Sequence, residues 1–509
     1  MSQQQPLIIR LTENDDVVVA LADLPAGRLL MNHEVTTQDP VPRGHKVAIR
    51  DIAQGEPVRK YGQIIGFSSR PIAAGDHVHL HNMAYGDFDR DYAFGTEAVP
   101  TDFVTDGERA TFEGYVRPDG GVGTRNYIGV LASVNCSNSV ARQIADAFDA
   151  TALGSFPNVD GVVALPHATG CCIPFEGDTH NNLVRTLAGY ARHPNFAGVL
   201  IVGLGCEVAQ IDKMLDDQGL ETGDSLRTLV IQDNGGTAST TAAGIEQIRE
   251  MLPMADTAKR TSCPASQLVV GLECGGSDAY SGITANPALG MAVDLLVRHG
   301  GTAILGETPE IYGAEHLLTR RAANREVGEK LIELIRWWER HTAANAARLD
   351  NNPTPGNKKG GLTTILEKSL GAAAKGGGTM LMDVYRYAEP VTAKGFVFMD
   401  TPGYDPASIT GMVAGGANLV CFTTGRGSVY GGKPVPSIKL ATNTPMYERM
   451  SGDMDVNCGI IADGEASTAE MGERIFRMML DTASGRRTHS EKLGIGDYEF
   501  CPWESGPML

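Results

Sequence analysis

The chain has 509 residues and a formal net charge of -18 at pH 7, with 42% hydrophobic and 20% charged residues. This length exceeds what one hydrophobic core supports and predicts about three domains. The acidic balance excludes a surface built to neutralise the phosphates of a nucleic acid. Any anionic small molecule must therefore be held by local positive charge, against the overall field of the protein.

Targeting signals are not evident in the sequence. The first residues lack a basic segment followed by an apolar run, and no stretch reaches about 18 uninterrupted apolar residues. We therefore predict a cytoplasmic protein that does not bind a membrane. Cysteines in that compartment stay reduced, so the nine present here suit metal binding or catalysis better than a disulfide framework.

The predicted elements divide the chain into three domains. Residues 1–98 contain short strands separated by turns, and the acidic, glycine-broken segment 99–111 predicts a linker. Apolar strands then alternate with helical stretches over 112–256 and again over 268–509, with a second predicted linker at 257–267. This alternation is typical of parallel sheets covered by helices. The predicted fold is therefore α/β, with a small N-terminal β-rich domain followed by two α/β domains that have mainly parallel sheets.

Four strand-like apolar runs end at a cysteine, namely YIGVLASVNC at Cys136, VVALPHATGC at Cys171, VLIVGLGC at Cys206 and LVVGLEC at Cys274. A single buried cysteine usually acts as a small hydrophobic side chain. Burial alone, however, would scatter cysteines through the strands and would not collect them at strand ends. Because ligands bind at the carboxyl ends of strands in open α/β sheets, we predict that these four thiols meet in one cleft. We assign structural roles to the other five, Cys172, Cys263, Cys421, Cys458 and Cys501.

Three glycine-rich segments carry polar side chains suited to an anionic ligand. ECGGSDAYSGITANP presents Ser277 and Asp278, and NPTPGNKKGG presents Asn357, Lys358 and Lys359, although each segment is also consistent with a structural turn. CFTTGRGSVYGGK places Thr424 and Arg426 directly after a strand. Because the planar guanidinium of arginine suits a carboxylate, this third segment is the best candidate for an anion clamp.

Histidines supply further candidate groups. His77, His79 and His81 alternate in DHVHLHN, so in a strand they share one face, where they would hold a metal or contact a substrate. A solvated strand face explains such alternation equally simply. Further candidate acids, bases or ligands are His167, four residues before Cys171, and the carboxylates of Glu307 and Glu310.

With GHKVAIRDI, GGVGTRNYIGV, GLGCE, ECGGSDAYSGITANP, NPTPGNKKGG and FTTGRG, the chain resembles the altronate dehydratase and galactarate dehydratase family. The resemblance runs from the N-terminal β-rich domain, which is similar to an SAF domain, to near the C-terminus. HVHLHN is similar to the altronate branch. The resemblance implies a hydro-lyase that converts D-altronate to 2-keto-3-deoxy-D-gluconate, with Fe2+ or Mn2+ as the activating metal.

Dehydration removes a weakly acidic proton beside a carboxylate and expels hydroxide from the next carbon, and a divalent cation assists both events. We expect iron, either as Fe2+ or in an iron-sulfur cluster, to be bound by the thiols of Cys136, Cys171, Cys206 and Cys274. The expected catalytic residues are His167, Asp278, Lys358, His79 and His81. The expected substrate-binding residues are Arg125, Ser277, Asn357, Lys359, Thr424 and Arg426.

Two other functions are consistent with the sequence. The substrate would be galactarate, or another aldonate or aldarate, if a second basic pocket held a second carboxylate. A non-catalytic sugar-acid sensor would use the same cleft for binding alone. In each case the partner is a small sugar acid, and the sequence also permits a homo-oligomer.

Overall fold

The computed structural model describes residues 6–30, 33–506 and 508. The first domain consists of short antiparallel strands in two sheets, ordered β1-β2-β5-β8 and β6-β7-β9, with a separate β3-β4 pair. These strands are β1 (Ile8–Ile9), β2 (Val17–Ala20), β3 (Leu29–Leu30), β4 (Val35–Thr36), β5 (Lys46–Ala48), β6 (Pro57–Lys60), β7 (Gln63–Ser68), β8 (His77–Val78) and β9 (Met83–Ala84).

Both faces of the β2 strand are buried. Val18 packs in a core formed within the first domain, whereas its neighbour Val17 packs in a second core that includes Leu370 and Ala373 of the third domain. Because successive strand residues point to opposite faces, one sheet serves both its own core and the contact between domains. The first domain is therefore docked on the third.

Buried charges reinforce this docking. The ammonium groups of Lys46 and Lys60 donate hydrogen bonds to the carboxylate of Glu367, with Nζ to Oε2 at 2.8 Å and Nζ to Oε1 at 3.0 Å respectively. All three side chains are almost completely buried. Burial opposes ionisation of Glu367, but the two lysines outweigh it and hold the pKa of that carboxyl well below its ordinary value.

The second domain contains a four-stranded parallel sheet in the order β13-β12-β14-β15, with helices between the strands. A small antiparallel sheet, β11-β10-β16, lies beside it. The elements are β10 (Thr111–Val116), β11 (Val122–Gly123), β12 (Tyr127–Ala132), α1 (Asn138–Asp146), β13 (Gly161–Leu165), α2 (Asp178–Ala191), β14 (Phe196–Gly203), α3 (Ile211–Gln218), β15 (Leu226–Val230), α4 (Thr237–Thr257) and β16 (Arg260–Pro264).

The predicted linker at 257–267 differs from the structure, because it contains the β16 strand. In the register with β10, Cys263 faces Phe112, and both side chains are buried. Ser262 and Pro264 on either side of Cys263 are exposed. The alternation of buried and exposed residues is too short to distinguish a strand from a linker in the sequence. Pairing with the distant strand β10 makes this segment a strand.

The third domain contains a seven-stranded parallel sheet in the order β19-β20-β18-β17-β21-β22-β23. Its elements are β17 (Val269–Cys274), α5 (Ala285–Arg298), β18 (Thr302–Leu305), α6 (Glu315–Thr319), α7 (Arg325–Ala344), α8 (Pro355–Lys359), α9 (Ile365–Ala373), β19 (Leu381–Tyr385), β20 (Gly395–Met399), α10 (Asp405–Ala414), β21 (Leu419–Thr424), β22 (Ser437–Ala441), α11 (Thr444–Arg449), β23 (Val456–Asn457), α12 (Thr468–Ala483) and α13 (His489–Lys492).

The predicted fold class is confirmed: a β-rich domain precedes two domains with parallel sheets. Helices cover the large sheet, so its central strands are apolar and buried along most of their length. Because the strands are parallel, their carboxyl ends lie at one edge, which brings the loops after β17, β18, β20 and β21 together. No helix within the described ranges combines the length and apolar character needed to cross a bilayer.

Candidate active site

A buried cluster of acids and lysines lies at the carboxyl edge of the seven-stranded sheet. Lys375 donates from Nζ to Oε2 of Glu307 at 2.6 Å, and Lys368 donates from Nζ to Oε1 of Glu310 at 2.6 Å. The thiol of Cys274, the last residue of β17, donates to Oε2 of Glu310 at 3.6 Å. All five side chains are buried, so their charges interact strongly.

The backbone at Glu307 is strained. Its φ angle of 63° lies in the left-handed region, which costs a non-glycine residue about 1–2 kcal/mol. Its backbone N-H donates to Oγ1 of Thr401 at 2.6 Å, and its carboxylate accepts from Lys375. Strain of this kind concentrates where a side chain must be held in a specific position.

The acids at this edge of the sheet differ in pKa. Burial and the nearby Glu307 charge raise the pKa of Glu273 well above its ordinary value. Burial opposes ionisation of Glu307 too, but Lys375 lowers the pKa of that carboxyl overall. Burial, with the charges of Glu307 and Glu310, raises the pKa of Asp405 to about 7. Asp405 is thus the acid of the cluster whose pKa suits proton transfer at neutral pH.

Two glycines, Gly275 and Gly276, let neighbouring side chains approach the backbone closely. A β-carbon on Gly275 would collide with the carboxylate of Asp405, and one on Gly276 would lie 3.3 Å from Cβ of Arg426. Gly276 also has a φ angle of 62°, which favours glycine. The short dipeptide therefore lets an acid and a guanidinium pack against the same turn. Arg426 is exposed and makes no side-chain hydrogen bond or ion pair with any described residue.

The other predicted residues of the glycine-rich segments converge on this turn. The amide of Asn357 donates to the carbonyl of Ser277 at 2.8 Å, and the backbone N-H of Arg426 donates to the carbonyl of Gly276 at 2.9 Å. Gly427 N-H donates to Oγ1 of Thr424 at 3.0 Å. The three segments therefore form one structural unit.

Asp278 organises that unit. Its carboxylate accepts from the backbone N-H groups of Tyr280 and Ser281 and from the side chains of Thr442 and Asn443, at 2.9–3.1 Å. Burial raises the pKa of Asp278, while these donors lower it. With its oxygens occupied by loop donors, Asp278 positions the turn, and we now favour this role over proton transfer.

The histidines lie beside the same unit, on the first domain. His79 clusters with His77 and His45, and Nδ1 of His45 is hydrogen-bonded to Nε2 of His77 at 2.9 Å. Burial, with the charge of His45, lowers the pKa of His77 to about 4, and burial, with the charge of Lys46, lowers that of His79 to about 3. His81 is exposed, with its ring centroid 5.3 Å from that of His77. Lys358 is half-buried and Lys359 exposed, next to this cluster.

Exposed thiols follow three neighbouring strands of the second domain. Cys136, Cys171 and Cys206 come after β12, β13 and β14, and all three are exposed. The sulfurs of Cys171 and Cys172 lie 3.8 Å apart, and the pKa of Cys171 is raised by Cys172 and, to a smaller extent, by Cys136 and Cys206. Cys172, to which we assigned a structural role from the sequence, therefore lies among the exposed thiols.

The loops that carry these thiols are fixed by a buried carboxylate. Glu207 accepts from Oγ of Ser133 at 2.7 Å and from the backbone N-H groups of Leu204 and Gly205 at 3.1 and 2.6 Å. The backbone N-H of Asn135 donates to the carbonyl of Thr169 at 3.0 Å. The loops after the three strands are therefore tied to one another, and the thiols are presented from a rigid support.

Two residues, Cys274 and Arg125, are placed differently from what the sequence suggested. Cys274 does not join the other three thiols but lies in the buried cluster of the third domain, where burial and the charge of Glu307 raise the pKa of its thiol. Arg125 is buried and donates from Nε and Nη2 to the carboxylate of Glu491 at 2.6 and 2.8 Å. His167 is buried near the exposed thiols, with Nε2 2.9 Å from the carbonyl of Ala132. Arg125 therefore has a structural role, because its donors bind groups of the protein.

An open cleft lies between the loop that precedes Cys171 and the third domain. It has a volume of about 370 Å3 and is lined by His167 to Thr169 on one side and by Tyr404 and Pro406 on the other. Asp405 is the residue between Tyr404 and Pro406, at the start of α10. The cleft is of the size that proteins use for small-molecule ligands. It therefore lies beside the acid whose pKa suits proton transfer at neutral pH.

Sequence reasoning did not single out Asp405, Lys368, Lys375 or His45. Asp405 follows the apolar run GFVFM by a few residues, so the rule that selected the cysteines would also have selected it. The two lysines lie on α9 and just after it, and only the tertiary structure brings them to the carboxylates. His45 precedes the short β5 strand, within GHK, far in sequence from the histidines that it contacts.

The fold and site define a three-domain α/β protein with an open cleft and a buried cluster of acids and lysines at the carboxyl ends of parallel strands. Family models match all three domains in order: the altronate/galactarate dehydratase SAF domain over 6–86, the D-galactarate dehydratase/altronate hydrolase second domain over 114–256, and the D-galactarate/altronate dehydratase C-terminal domain over 265–508.

Relatives of full length show the same family. The altronate dehydratases of Bacillus subtilis (strain 168) and Escherichia coli (strain K12) are 35% and 36% identical, each covering 98% of this chain and 99% of the relative. The galactarate dehydratase (L-threo-forming) of Escherichia coli (strain K12) is 37% identical over 95% of this chain and 92% of its own length. The chain belongs to the altronate and galactarate dehydratase family, as its motifs predicted.

Proposed function

We propose that this protein is a sugar-acid dehydratase that converts D-altronate to 2-keto-3-deoxy-D-gluconate. Family membership supports the reaction class. The observation that carries the proposal for this chain is the packing of Asp405 and Arg426 against the Gly275-Gly276 turn. A base and a carboxylate-binding group at one turn are what abstraction of a proton next to a carboxylate requires.

Asp405 is the proposed base. It takes the proton from the carbon that bears the substrate carboxylate, the carbon-oxygen bond to the adjacent hydroxyl breaks, and the hydroxyl leaves as water after gaining a proton. The resulting enol becomes the 2-keto acid. Because burial and two neighbouring acids raise the pKa of Asp405 to about 7, its ionised form is a stronger base than an ordinary aspartate.

Arg426 is the proposed carboxylate clamp. Its guanidinium is exposed and unpaired within the described chain, so it has donors available for a bidentate contact. Lys358 and Lys359, on the neighbouring segment, would bind hydroxyls or a second negative group at the far end of the substrate. Ser277 is buried, and its Oγ has no hydrogen-bond partner in the described part of the chain, which leaves it free to bind a substrate hydroxyl.

The exposed thiols are the proposed ligands of the iron that the family resemblance implies, although the sulfurs of Cys136, Cys171 and Cys206 do not form a group within 4.8 Å of one another among the described residues. Soft thiolates from three tied loops suit iron or an iron-sulfur cluster better than they suit magnesium or calcium. When bound, iron supplies positive charge that stabilises the enediolate and the departing hydroxide. Cys274 is excluded from this set because it is buried in another domain.

The choice of D-altronate rests on the histidine alternation that is similar to the altronate branch. Identity to the altronate and galactarate dehydratases differs by only one or two percentage points, so galactarate is the second candidate. A second carboxylate would require a second cationic contact, and Lys358 and Lys359 are available for it. A substrate panel therefore decides between a monocarboxylate and a dicarboxylate.

The test is an anaerobic assay of 2-keto acid formation with D-altronate, galactarate and other hexonates, each with and without Fe2+. We expect D-altronate to give the highest kcat/KM. Higher kcat/KM for galactarate would reassign the substrate. Tight binding of a sugar acid without formation of any keto acid would support a sensor and contradict the enzymatic proposal.

A further inference from the structure

Three histidines from separate parts of the first domain meet at its contact with the third domain. His45 precedes β5, His77 begins β8, and His79 follows it. One ring nitrogen of each lies within 4.8 Å of the others, and Nδ1 of His45 is 2.9 Å from Nε2 of His77. His45, distant in sequence, thus joins the alternating His77 and His79 in one cluster of three histidines.

Nδ1 of His45 and Nε2 of His77 are hydrogen-bonded at 2.9 Å, which is also close enough for the two nitrogens to share one ion. Two imidazole nitrogens that each lie about 2.1 Å from a metal are about 3 Å apart at octahedral angles and about 3.4 Å apart at tetrahedral angles. Nδ1 of His79 is buried and has no hydrogen-bond partner among the described residues, which is a costly state for a polar atom unless a ligand satisfies it.

Outer contacts fix the rings in place. The side-chain oxygen of Asn82 accepts from the backbone N-H of His79 at 2.9 Å, and its amide donates to the carbonyl of His77 at 3.0 Å.

The donor set indicates which cation fits. Imidazoles suit first-row transition ions such as Fe2+, Co2+, Ni2+ and Zn2+, whereas Mg2+ and Ca2+ require oxygen ligands. The three residues of this cluster provide nitrogens alone. The thiols lie on another domain and constitute a chemically different set.

We infer that His45, His77 and His79 form a mononuclear binding site for a first-row divalent transition metal, distinct from the thiols. His45 lies next to the backbone of Lys359, the last residue of α8 in the third domain, so an ion bound there fixes the position of the first domain beside the candidate active site. His81, exposed next to His77, lies at the open side of the cluster. This inference concerns metal binding and holds whether or not the proposed dehydratase reaction occurs.

The test is titration of the metal-free full chain with Co2+, followed by visible absorption, in protein that carries Cys136→Ser, Cys171→Ser, Cys172→Ser and Cys206→Ser. We expect one tightly bound Co2+ per chain, with bands of nitrogen ligation and without a thiolate-to-cobalt band. His77→Ala and His79→Ala should each weaken binding by more than about 100-fold, the upper range for loss of an outer-shell partner. His33→Ala, on the same domain but outside the cluster, is the matched control and should bind normally.

Unchanged Co2+ affinity in both variants would overturn the inference and leave a packed histidine cluster without a metal. Thermal unfolding of the metal-free variants shows whether they fold. A second measurement avoids histidine substitutions altogether: pulsed electron paramagnetic resonance of Cu2+ bound to the thiol-substituted protein. Modulation from remote imidazole nitrogens supports the site, and its absence contradicts it.

Discussion

Asp405 packs against Gly275, and Arg426 packs against the next residue, Gly276. The two side chains come from the loops after β20 and β21, on either side of the central part of the large sheet. Any side chain at Gly275 would displace the Asp405 carboxylate. The two glycines thus hold the carboxyl group of Asp405, with a pKa of about 7, and the exposed guanidinium of Arg426 at one turn. The proposed proton abstraction depends on this arrangement.

The first prediction concerns the base. Asp405→Asn should lower kcat by about 10^2- to 10^4-fold, because the amide cannot accept the substrate proton. The wild-type kcat/KM should rise with pH through about 7, as Asp405 ionises, and this limb should be absent from the residual activity of the variant. Asp212→Asn, an exposed position on α3, is the control and should keep both rate and pH profile. An unchanged limb in Asp405→Asn would assign the base elsewhere.

The second prediction concerns the clamp. Arg426→Ala should lower kcat/KM by about 10- to 100-fold, because a charge-assisted contact contributes about 1.5–3 kcal/mol. Arg426→Lys should recover part of the loss, since a single ammonium cannot form the bidentate contact. Steady-state kinetics with D-altronate measures both variants, with the exposed Arg477→Ala as control. Equal kcat/KM in Arg426→Ala and wild type would remove this residue from the site.

The third prediction concerns iron. Each of three single substitutions should reduce both the iron content and the activity of anaerobically purified protein. These substitutions are Cys136→Ser, Cys171→Ser and Cys206→Ser. Cys263→Ser, at a position on β16 outside this set, should retain both. Iron and acid-labile sulfide analysis distinguishes a mononuclear ion from a cluster. Full iron content in all three variants would show that the metal lies elsewhere.

The fourth prediction concerns domain docking. Glu367→Gln leaves the buried charges of Lys46 and Lys60 without their partner and should destabilise the protein by about 3–5 kcal/mol. Residues 85–110, between β9 and β10, should then be cleaved faster by protease, because the first domain is released more often. Glu473→Gln removes an exposed pair with Arg477 and should change stability by less than about 1 kcal/mol. Denaturant unfolding and limited proteolysis measure these effects, and equal effects of the two substitutions would contradict the docking role.

The fifth prediction uses the ion pair of Arg125 and Glu491. Burial opposes ionisation of Glu491, but Arg125 lowers the pKa of the carboxyl overall. The pair therefore contributes its full stability above the unfolded-state pKa of about 4.3, and the contribution is lost as pH falls through the lower folded-state pKa. Glu491→Gln should lower Tm at pH 7, and this difference should shrink below about pH 4. The exposed Glu448→Gln is the control, and a difference independent of pH would refute the linkage.

The fold was largely predictable because its signals are local. The apolar runs before Cys136 and Cys206 form the parallel strands β12 and β14, and the run that ends at Cys274 forms β17. The β16 strand was not predictable, because five residues with weak alternation acquire their conformation from pairing with β10. Local pattern specifies a long element, whereas a short edge strand depends on its partner.

The candidate site was predictable only in part. Ser277, Asn357 and Arg426 were all predicted to bind the substrate; contacts bring their three segments together, and the binding roles stay predictions. Cys274 shares its pattern with the other thiols but belongs to a different sheet, and sequence pattern does not reveal which sheet a strand joins. The pairing of Lys368 with Glu310 depends on helix packing and leaves no trace in local sequence.

The decisive experiment compares D-altronate turnover by wild type and by Asp405→Asn, both purified anaerobically and loaded with equal amounts of iron. Substrate binding is measured separately. We expect wild type to form 2-keto-3-deoxy-D-gluconate, and the variant to bind D-altronate yet form the product at least about 100-fold more slowly. Equal rates in the two proteins, or wild-type binding without any product, would contradict this expectation.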